Sequence, residues 1–234
     1  MRSSGPGNTT GRARSRAIAG LCLRPRRAAD NTMTRFIVCG AGAIGGPLAA
    51  GLSEAGHNAV AVARGSHYEA IAAHGLRVEA PEGPTVSRLT VVDHPSRLEF
   101  RDDDIVMLAM KSHDIAAAPG TLAGLARPST PIVCVQNGVE NERAVLRLFP
   151  NIYGVLVITP GTHLSPGVVV APSSPVRGVL DVGWHSHGLD ATAHEIASAF
   201  QTAPVLIPSD PRHPAMEVCQ AAQQPGQRGR GRPR

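Results

Sequence analysis

The chain has 234 residues and a formal net charge of +5, from 23 Lys and Arg against 18 Asp and Glu. The excess of basic residues is terminal, because residues 1–32 carry +6 and residues 212–234 carry +4, which leaves −5 for residues 33–211. This acidic middle argues against a specific nucleic-acid partner, and the lack of an apolar run near the roughly 18 residues of a membrane span argues against a membrane.

Residues 1–32 are rich in Arg, Ser and Thr, with Gly and Pro scattered among them. This composition predicts a disordered basic extension. A transit peptide has a similar composition, whereas the lack of an apolar segment of about 7–15 residues argues against a secretory signal. We favour a mis-assigned or disordered leader, because Met33 could be the true start and a strand-like segment begins directly after it at Arg35.

Residues 33–210 form one predicted domain, in which short apolar runs alternate with helix-like stretches. Such alternation is typical of a parallel sheet covered on both faces, so the sequence predicts an α/β fold, a Rossmann-type, doubly wound, mostly parallel sheet. Strands are predicted at Phe36–Cys39, Ala59–Ala63, Leu76–Glu79, Val86–Val92, Ile105–Met110 and Pro131–Val135. Helices are predicted at Ile44–Ala55, Ser66–Ala73, Ile115–Leu125 and Glu140–Leu148.

After Pro150 the pattern changes to short strands separated by Pro and Gly turns, followed by one helix. The strands are predicted at Tyr153–Thr159, Gly167–Ala171, Val176–Val182 and Val205–Ile207, and the helix at Leu189–Phe200. We interpret this segment as an extension of the same sheet and not as a second core.

A glycine-rich loop connects the first predicted strand to the first predicted helix. It consists of Gly40, Ala41, Gly42, Ala43, Ile44 and Gly45. In a GxGxxG loop the first glycine permits the tight turn, the second lets the backbone approach a pyrophosphate, and the third lets the helix pack closely. The first N–H groups of the helix then face the phosphates, so the loop predicts a dinucleotide site.

The end of the second predicted strand indicates which dinucleotide binds. An NAD site usually has Asp or Glu about 20 residues after the first glycine, to hold the ribose hydroxyls. Here Arg64, Gly65 and Ser66 follow the strand, and the first acid is Glu69. An arginine at this point can pair with a 2′-phosphate and Ser66 can add a hydroxyl donor, which favours NADP(H) as the cofactor.

Polar residues also follow the third and fourth strands of the predicted core. Lys111, the only lysine in the chain, follows one of them, and Asn137 follows the other. Ligands of doubly wound sheets lie beyond the carboxyl ends of the strands. We therefore expect Lys111 and Asn137 to lie at the site, although each could separately be a surface or turn residue.

In order and spacing, these motifs resemble the N-terminal domain of the ketopantoate reductase (2-dehydropantoate 2-reductase) family. The motifs are the glycine loop, Arg64-Gly65, Ala109-Met110-Lys111-Ser112 and Gln136-Asn137-Gly138-Val139, and the resemblance covers roughly residues 35–207. It implies NADPH on the glycine loop, Arg64 at the 2′-phosphate, and Lys111 and Asn137 near the nicotinamide and a small 2-keto acid substrate. The implied reaction is hydride transfer to the keto group, as in pantothenate biosynthesis, with a homodimer in full-length relatives.

The sequence departs from the family after residue 210. Family members have a second, helical domain that supplies the lysine that donates the proton, and this sequence shows no such domain. Residues 211–234 are instead predicted to be a disordered basic tail. We therefore expect a truncated chain without activity of its own, or alternatively a non-catalytic NADP-binding protein.

A frameshift would explain the tail. Read one nucleotide later, the codons of Met216 and Glu217 force a Trp codon. The codons that follow allow, but do not force, Lys-Tyr-Ala-Lys-Leu-Leu-Asn-Asn, which is similar to the catalytic helix of the family. The alternative is a natural short protein with a basic tail, and resequencing of the locus distinguishes the two.

The four cysteines show neither a CxxC spacing nor the pattern of a metal site. Cys39 and Cys134 lie inside apolar runs, where a reduced and buried thiol is expected. This usage favours a cytoplasmic protein, and we expect no metal.

Overall fold

The computed structural model describes residues 34–115, 117–136, 140–173, 179–184 and 190–203. Its strands are β1 Arg35–Cys39, β2 Asn58–Val62, β3 Leu76–Glu79, β4 Thr85–Ser87, β5 Thr90–Val92, β6 Asp104–Leu108, β7 Ile132–Cys134, β8 Ile152–Ile158, β9 Thr162–Ser165, β10 Val168–Val170 and β11 Val179–Trp184. Its α-helices are α1 Gly45–Glu54, α2 Gly65–His74, α3 Ser112–Ile115, α4 Ala118–Ala123, α5 Glu140–Val145 and α6 Ala191–Thr202.

A seven-stranded sheet with the order β11-β8-β7-β6-β1-β2-β5 forms the centre of the fold. Six strands are parallel, and only β11 pairs antiparallel, with β8. The chain leaves β1 for β2 on one side and later returns to β6 on the other. The predicted doubly wound, mostly parallel sheet is therefore confirmed.

Both faces of this sheet are buried, which explains why its strands are apolar without alternation. Phe36 and Val38 of β1 belong to one core, and Ile37 and Cys39 to another. Helices α1 and α6 contribute Leu48, Ile196 and other side chains to the first core, whereas α4 contributes Leu122 to the second.

A smaller sheet with the order β4-β3-β10-β9 corrects two predictions. The segment Val86–Val92 is not one strand, because β4 belongs to the small sheet and β5 to the large one. The segment after Pro150 does not only extend the large sheet, because β9 and β10 join β3 and β4. Strands of three or four residues carry too little alternation to show which sheet they enter, and β9 is exposed along its whole length.

Two predicted helices are shorter than expected. Of the predicted helix Ile115–Leu125, only Ala118–Ala123 forms α4, because Ile115 is the last residue of the separate helix α3. Pro119 occupies the first turn of α4, where proline is tolerated. Helix α5 ends at Val145, before the predicted Leu148. The predicted strand Val205–Ile207 lies outside the described residues. No helix in the described ranges is long and apolar enough to cross a membrane.

A buried ion pair joins the two central strands at the end opposite their carboxyl ends. Arg35 Nε and Nη2 donate to the two carboxylate oxygens of Asp104, each at 2.8 Å, and the backbone N–H of Arg101 donates to the same carboxylate at 2.7 Å. Asp104 is fully buried. This pair fixes β1 against β6, the two strands between which a ligand is expected.

Candidate functional site

A cavity of about 1110 Å³ lies at the carboxyl ends of β1, β2, β6 and β7. It is next to the point where the strand order reverses, between β1 and β6, which is where doubly wound sheets bind their ligands. Seven of the site residues that the sequence predicts line this cavity: Gly40, Ala41, Gly42, Ala43, Ile44, Arg64 and Lys111. Two other predicted residues, Gly45 and Ser66, are not among the lining residues, and Asn137 lies outside the described residues.

The first glycine of the loop lies where two strand ends nearly touch. Gly40 has φ +104°, a conformation that favours glycine, and a Cβ there would lie 2.8 Å from the backbone nitrogen of Met110. The backbone can therefore pass from β1 into the loop only without a side chain at this position.

Gly45 permits the close packing of α1. A Cβ at Gly45 would collide with the carbonyl oxygen of Gly40 and would lie 2.7 Å from Cβ of Ala109. The start of α1 is thus pressed against the ends of β1 and β6. Gly45 faces Gly40 and Ala109 and not the cavity, so it affects the site only through the packing of α1.

Gly42 differs from both, because a Cβ there would meet no other described atom within 4 Å. No packing contact in the described structure requires glycine here, yet the residue lines the cavity. The open space beside its backbone fits the close approach of a pyrophosphate, which a side chain would obstruct. The loop backbone at Gly42 therefore fits a dinucleotide.

Arg64 occupies the end of β2 and precedes α2 in an extended conformation, with φ −125° and ψ 155°. It is exposed and lines the cavity. Among the described residues that line the cavity, Asp114 is the one carboxylate, and it comes from α3 and not from the end of β2. The position at which an NAD site would carry an acid is thus occupied by a cation.

Lys111 follows β6, and Gln136 fixes the backbone that precedes it. The side-chain amide of Gln136 donates to the carbonyl oxygens of Leu108 and Met110, the second at 3.1 Å. Asn141 donates in turn to Gln136 Oε1 at 3.5 Å. Gln136 is buried, so its bonds tie the end of β7 to the segment that presents Lys111.

Cys39 is part of the cavity wall and not a reactive group. Burial raises the pKa of this thiol to about 12, although the positive charge of Arg64 opposes the shift. The thiol stays protonated at neutral pH, and the thiolate is the form that reacts or binds metals.

Sequence reasoning missed several residues of the cavity wall. His67 of α2, His94 after β5, and Gly161 to His163 before and within β9 all line it. Two of them carried a local signal, because His67 follows Arg64 by about one helical turn and His94 lies two residues after the end of a strand. The β9 segment carried none, since it reaches the site from the small sheet.

Comparisons with known proteins identify the family of the chain. The family model of ketopantoate reductase PanE/ApbA matches residues 36–178. A 2-dehydropantoate 2-reductase of Mesorhizobium japonicum is 42% identical over 106 residues, which are 45% of this chain and 32% of the relative. That of Pyrococcus horikoshii is 25% identical over 169 residues, 72% of this chain and 54% of the relative.

Solved structures share the fold. The 2-dehydropantoate 2-reductase of Geobacter metallireducens superposes with a TM-score of 0.66 at 26% identity, covering 75% of this chain and 57% of the other. D-mandelate dehydrogenase, solved with NADH and anilino(oxo)acetate, gives a TM-score of 0.65 at 21% identity, over 75% of this chain and 57% of the other, and shows likeness of fold alone.

The chain spans between a third and just over half of the length of these curated relatives. The family match nevertheless extends over more than half of the chain and includes the glycine loop, Arg64 and Lys111. The chain belongs to the ketopantoate reductase family of oxidoreductases, of which it carries the nucleotide-binding fold.

Proposed function

We propose that residues 33–210 bind NADP(H) in the cavity and form the cofactor-binding part of a reductase that acts on a 2-keto acid of the 2-dehydropantoate type. The observation that carries the proposal is the placement of Arg64. It lies at the end of β2, at the wall of a cavity that also contains the glycine loop. A guanidinium at this position suits a 2′-phosphate, whereas the hydroxyls of NAD would call for a carboxylate.

Different residues at the cavity would bind different parts of the cofactor. The backbone of the glycine loop would hold the pyrophosphate, and Arg64 the 2′-phosphate, with Ser66 adjacent in the first turn of α2. When bound, the cofactor supplies a hydride from its nicotinamide. Lys111 and Asn137 would bind and orient the keto acid, with Lys111 pairing with its carboxylate.

The reduction also needs a proton at the keto oxygen. Lys111 is the only lysine in the 234 residues, so the family's proton-donating lysine is not among them. We therefore propose that this chain by itself binds NADPH and does not complete the reduction. Consumption of NADPH by the isolated chain with 2-dehydropantoate would contradict this.

The names of the relatives support the substrate class. The curated relatives are 2-dehydropantoate 2-reductases, and one structural neighbour is a D-mandelate dehydrogenase with NADH bound. Hence the alternatives are another 2-keto acid, NADH as the cofactor, or a non-catalytic protein that only binds NADP. Of these alternatives, the choice between NADPH and NADH can be tested with this chain alone.

The test is a titration of the chain with NADPH and, separately, with NADH, in which nicotinamide fluorescence measures binding. A hydrogen bond to a charged group contributes roughly 1.5–3 kcal/mol, which corresponds to about 10–100-fold in affinity. Arg64→Ala should weaken NADPH by that factor and change NADH by less than about twofold, since NADH lacks the 2′-phosphate.

The matched control is Arg147→Ala, which removes the same charge from an exposed position that does not line the cavity. It should leave both affinities unchanged. Equal losses of NADPH and NADH in Arg64→Ala, or a wild-type preference for NADH, would contradict the assignment of NADP(H).

A further inference from the structure

His67 of α2 links three separate segments around the cavity. Its Nε2 lies 2.8 Å from the carbonyl oxygen of Ala41 in the glycine loop. Its Nδ1 lies 2.9 Å from the backbone nitrogen of Gly167, in the turn between β9 and β10. One imidazole therefore connects the glycine loop, α2 and the small sheet.

The partners determine where the proton of this ring resides. A carbonyl oxygen can only accept, so Nε2 of His67 donates to Ala41. A backbone N–H can only donate, so Nδ1 accepts from Gly167 and carries no proton. His163 Nε2 lies 3.2 Å from the same Nδ1, and the two rings meet edge to face with centroids 4.4 Å apart.

This arrangement requires the neutral imidazole. Protonation would place hydrogen on Nδ1 and break the bond from Gly167. Burial lowers the pKa of His67 below its ordinary value of 6.5, and the neighbouring His163 lowers it further, against the bond to Ala41. His67 therefore acts as a hydrogen-bonding group and not as a cation.

Residues next to the small sheet pack closely against α2 and the glycine loop. A Cβ at Gly167 would lie 2.9 Å from Cβ of Ala70, which follows His67 by one turn of α2. A Cβ at Gly161, in the same part of the chain, would collide with the carbonyl oxygen of Ala43. Two residues outside the large sheet thus contact the glycine loop: His67 at Ala41 and Gly161 at Ala43.

The bond to Ala41 has a consequence for the next residue. The carbonyl of Ala41 and the N–H of Gly42 belong to one planar, trans peptide unit, in which they point in opposite directions. A bond that fixes the carbonyl therefore also fixes the direction of the Gly42 N–H. Gly42 is the residue of the loop beside which the cavity is open.

We propose that His67 is a positioning residue for dinucleotide binding, which orients the Ala41–Gly42 peptide so that its N–H group faces the pyrophosphate. The proposal rests on the proposed function, because it assumes that a dinucleotide occupies the cavity. It assigns to the small sheet the role of holding the glycine loop in its binding conformation before the cofactor arrives. Such preorganisation raises affinity by removing the cost of ordering the loop.

The test compares His67→Ala, His67→Gln and the wild-type chain in titrations with NADPH and NADH. Both cofactors contain the pyrophosphate, so His67→Ala should weaken both by the same factor, about tenfold for a lost net contribution near that of one or two hydrogen bonds. Glutamine can donate to Ala41 and accept from Gly167, so His67→Gln should stay within about threefold of the wild type. His74→Ala is the control, since His74 is exposed at the far end of the same helix.

The possible outcomes separate this inference from the function on which it rests. A folded His67→Ala that binds both cofactors normally would overturn the inference and leave the function intact. A loss confined to NADPH would overturn it as well, because His67 would then act as a cation on the 2′-phosphate. Thermal unfolding checks that the variants fold, and if the alanine variant does not, a glutamine variant with weakened binding contradicts the inference. A wild-type chain that binds neither cofactor removes both.

Discussion

Glu142 is a buried carboxyl group in the first turn of α5. It is 3% exposed, and its Oε2 has no hydrogen-bond partner in the described part of the chain. The other oxygen, Oε1, would lie 3.2 Å from a Cβ at Gly154 of β8, so the side chain fills the space that this glycine leaves. Burial raises the pKa of Glu142 above its ordinary value of 4.5, and Glu140 adds to the shift.

A raised pKa makes the stability of the fold depend on pH. The native state holds the proton of Glu142 more tightly than the unfolded chain does, so its contribution is present below pH 4.5 and is lost as pH rises through the native pKa. Glu142→Gln should remove this loss, so that the free energy of unfolding falls less between pH 4.5 and 7 than in the wild type.

Urea denaturation at several pH values measures this slope. Glu69→Gln is the control, because Glu69 is exposed on α2 and its removal should leave the slope unchanged. An identical slope in the wild type and Glu142→Gln would show that Glu142 does not titrate differently in the folded state.

Among the elements, β1 and β6 decide the geometry of the site, because the cavity lies at their carboxyl ends. Their opposite ends are joined by Arg35 and Asp104, whose side chains are 13% and 0% exposed. Asp104→Ala would leave the arginine buried without its partner. Breaking a buried pair in this way costs about 3–5 kcal/mol.

Chemical denaturation should show a loss of that size for Asp104→Ala. The ion pair of Arg77 and Glu79 offers the comparison, since its side chains are 48% and 34% exposed. Glu79→Ala should cost less than about 1 kcal/mol, as exposed pairs do. Similar losses in both variants would argue against a special role of the buried pair.

How far each element could be predicted follows from its burial. Strands β1, β6 and β7 are buried on both faces and therefore read as continuous apolar runs, which the sequence shows clearly. Strand β9 is exposed throughout, so no apolar pattern marks it. The split between β4 and β5 depends on which sheet each strand joins, and that is decided by partners distant in the chain.

The same limit applies to the site. The positions of Gly40, Gly45 and Arg64 could be predicted, because they depend on near neighbours in the sequence or on the end of a strand. The contact between His67 and Gly167 spans 100 residues, so no local pattern could reveal it. The roles of the glycine loop, Arg64, Ser66, Lys111 and Asn137 toward the cofactor and substrate remain predictions.

At the scale of the whole molecule, the charge at the cavity differs from that of the predicted domain. Residues 33–211 carry a net charge of −5, yet the fixed charges among the described residues that line the cavity are Arg64 and Lys111 against Asp114. The positive charge is thus concentrated where a phosphate-bearing cofactor would bind. The basic residues of 1–32 and 212–234 dominate the overall charge of the chain.

The most direct measurement is a titration of NADPH into the wild-type chain and into Gly42→Ala. A Cβ at Gly42 meets no described atom within 4 Å, so the variant should unfold at the wild-type temperature. Gly120→Ala, whose added Cβ is equally free of contacts, controls for the substitution itself. We predict saturable binding of one NADPH per chain and a loss of at least about tenfold in Gly42→Ala alone. Absence of binding to the wild type, or equal binding by a folded Gly42→Ala, would contradict the assignment of the cavity to NADP(H).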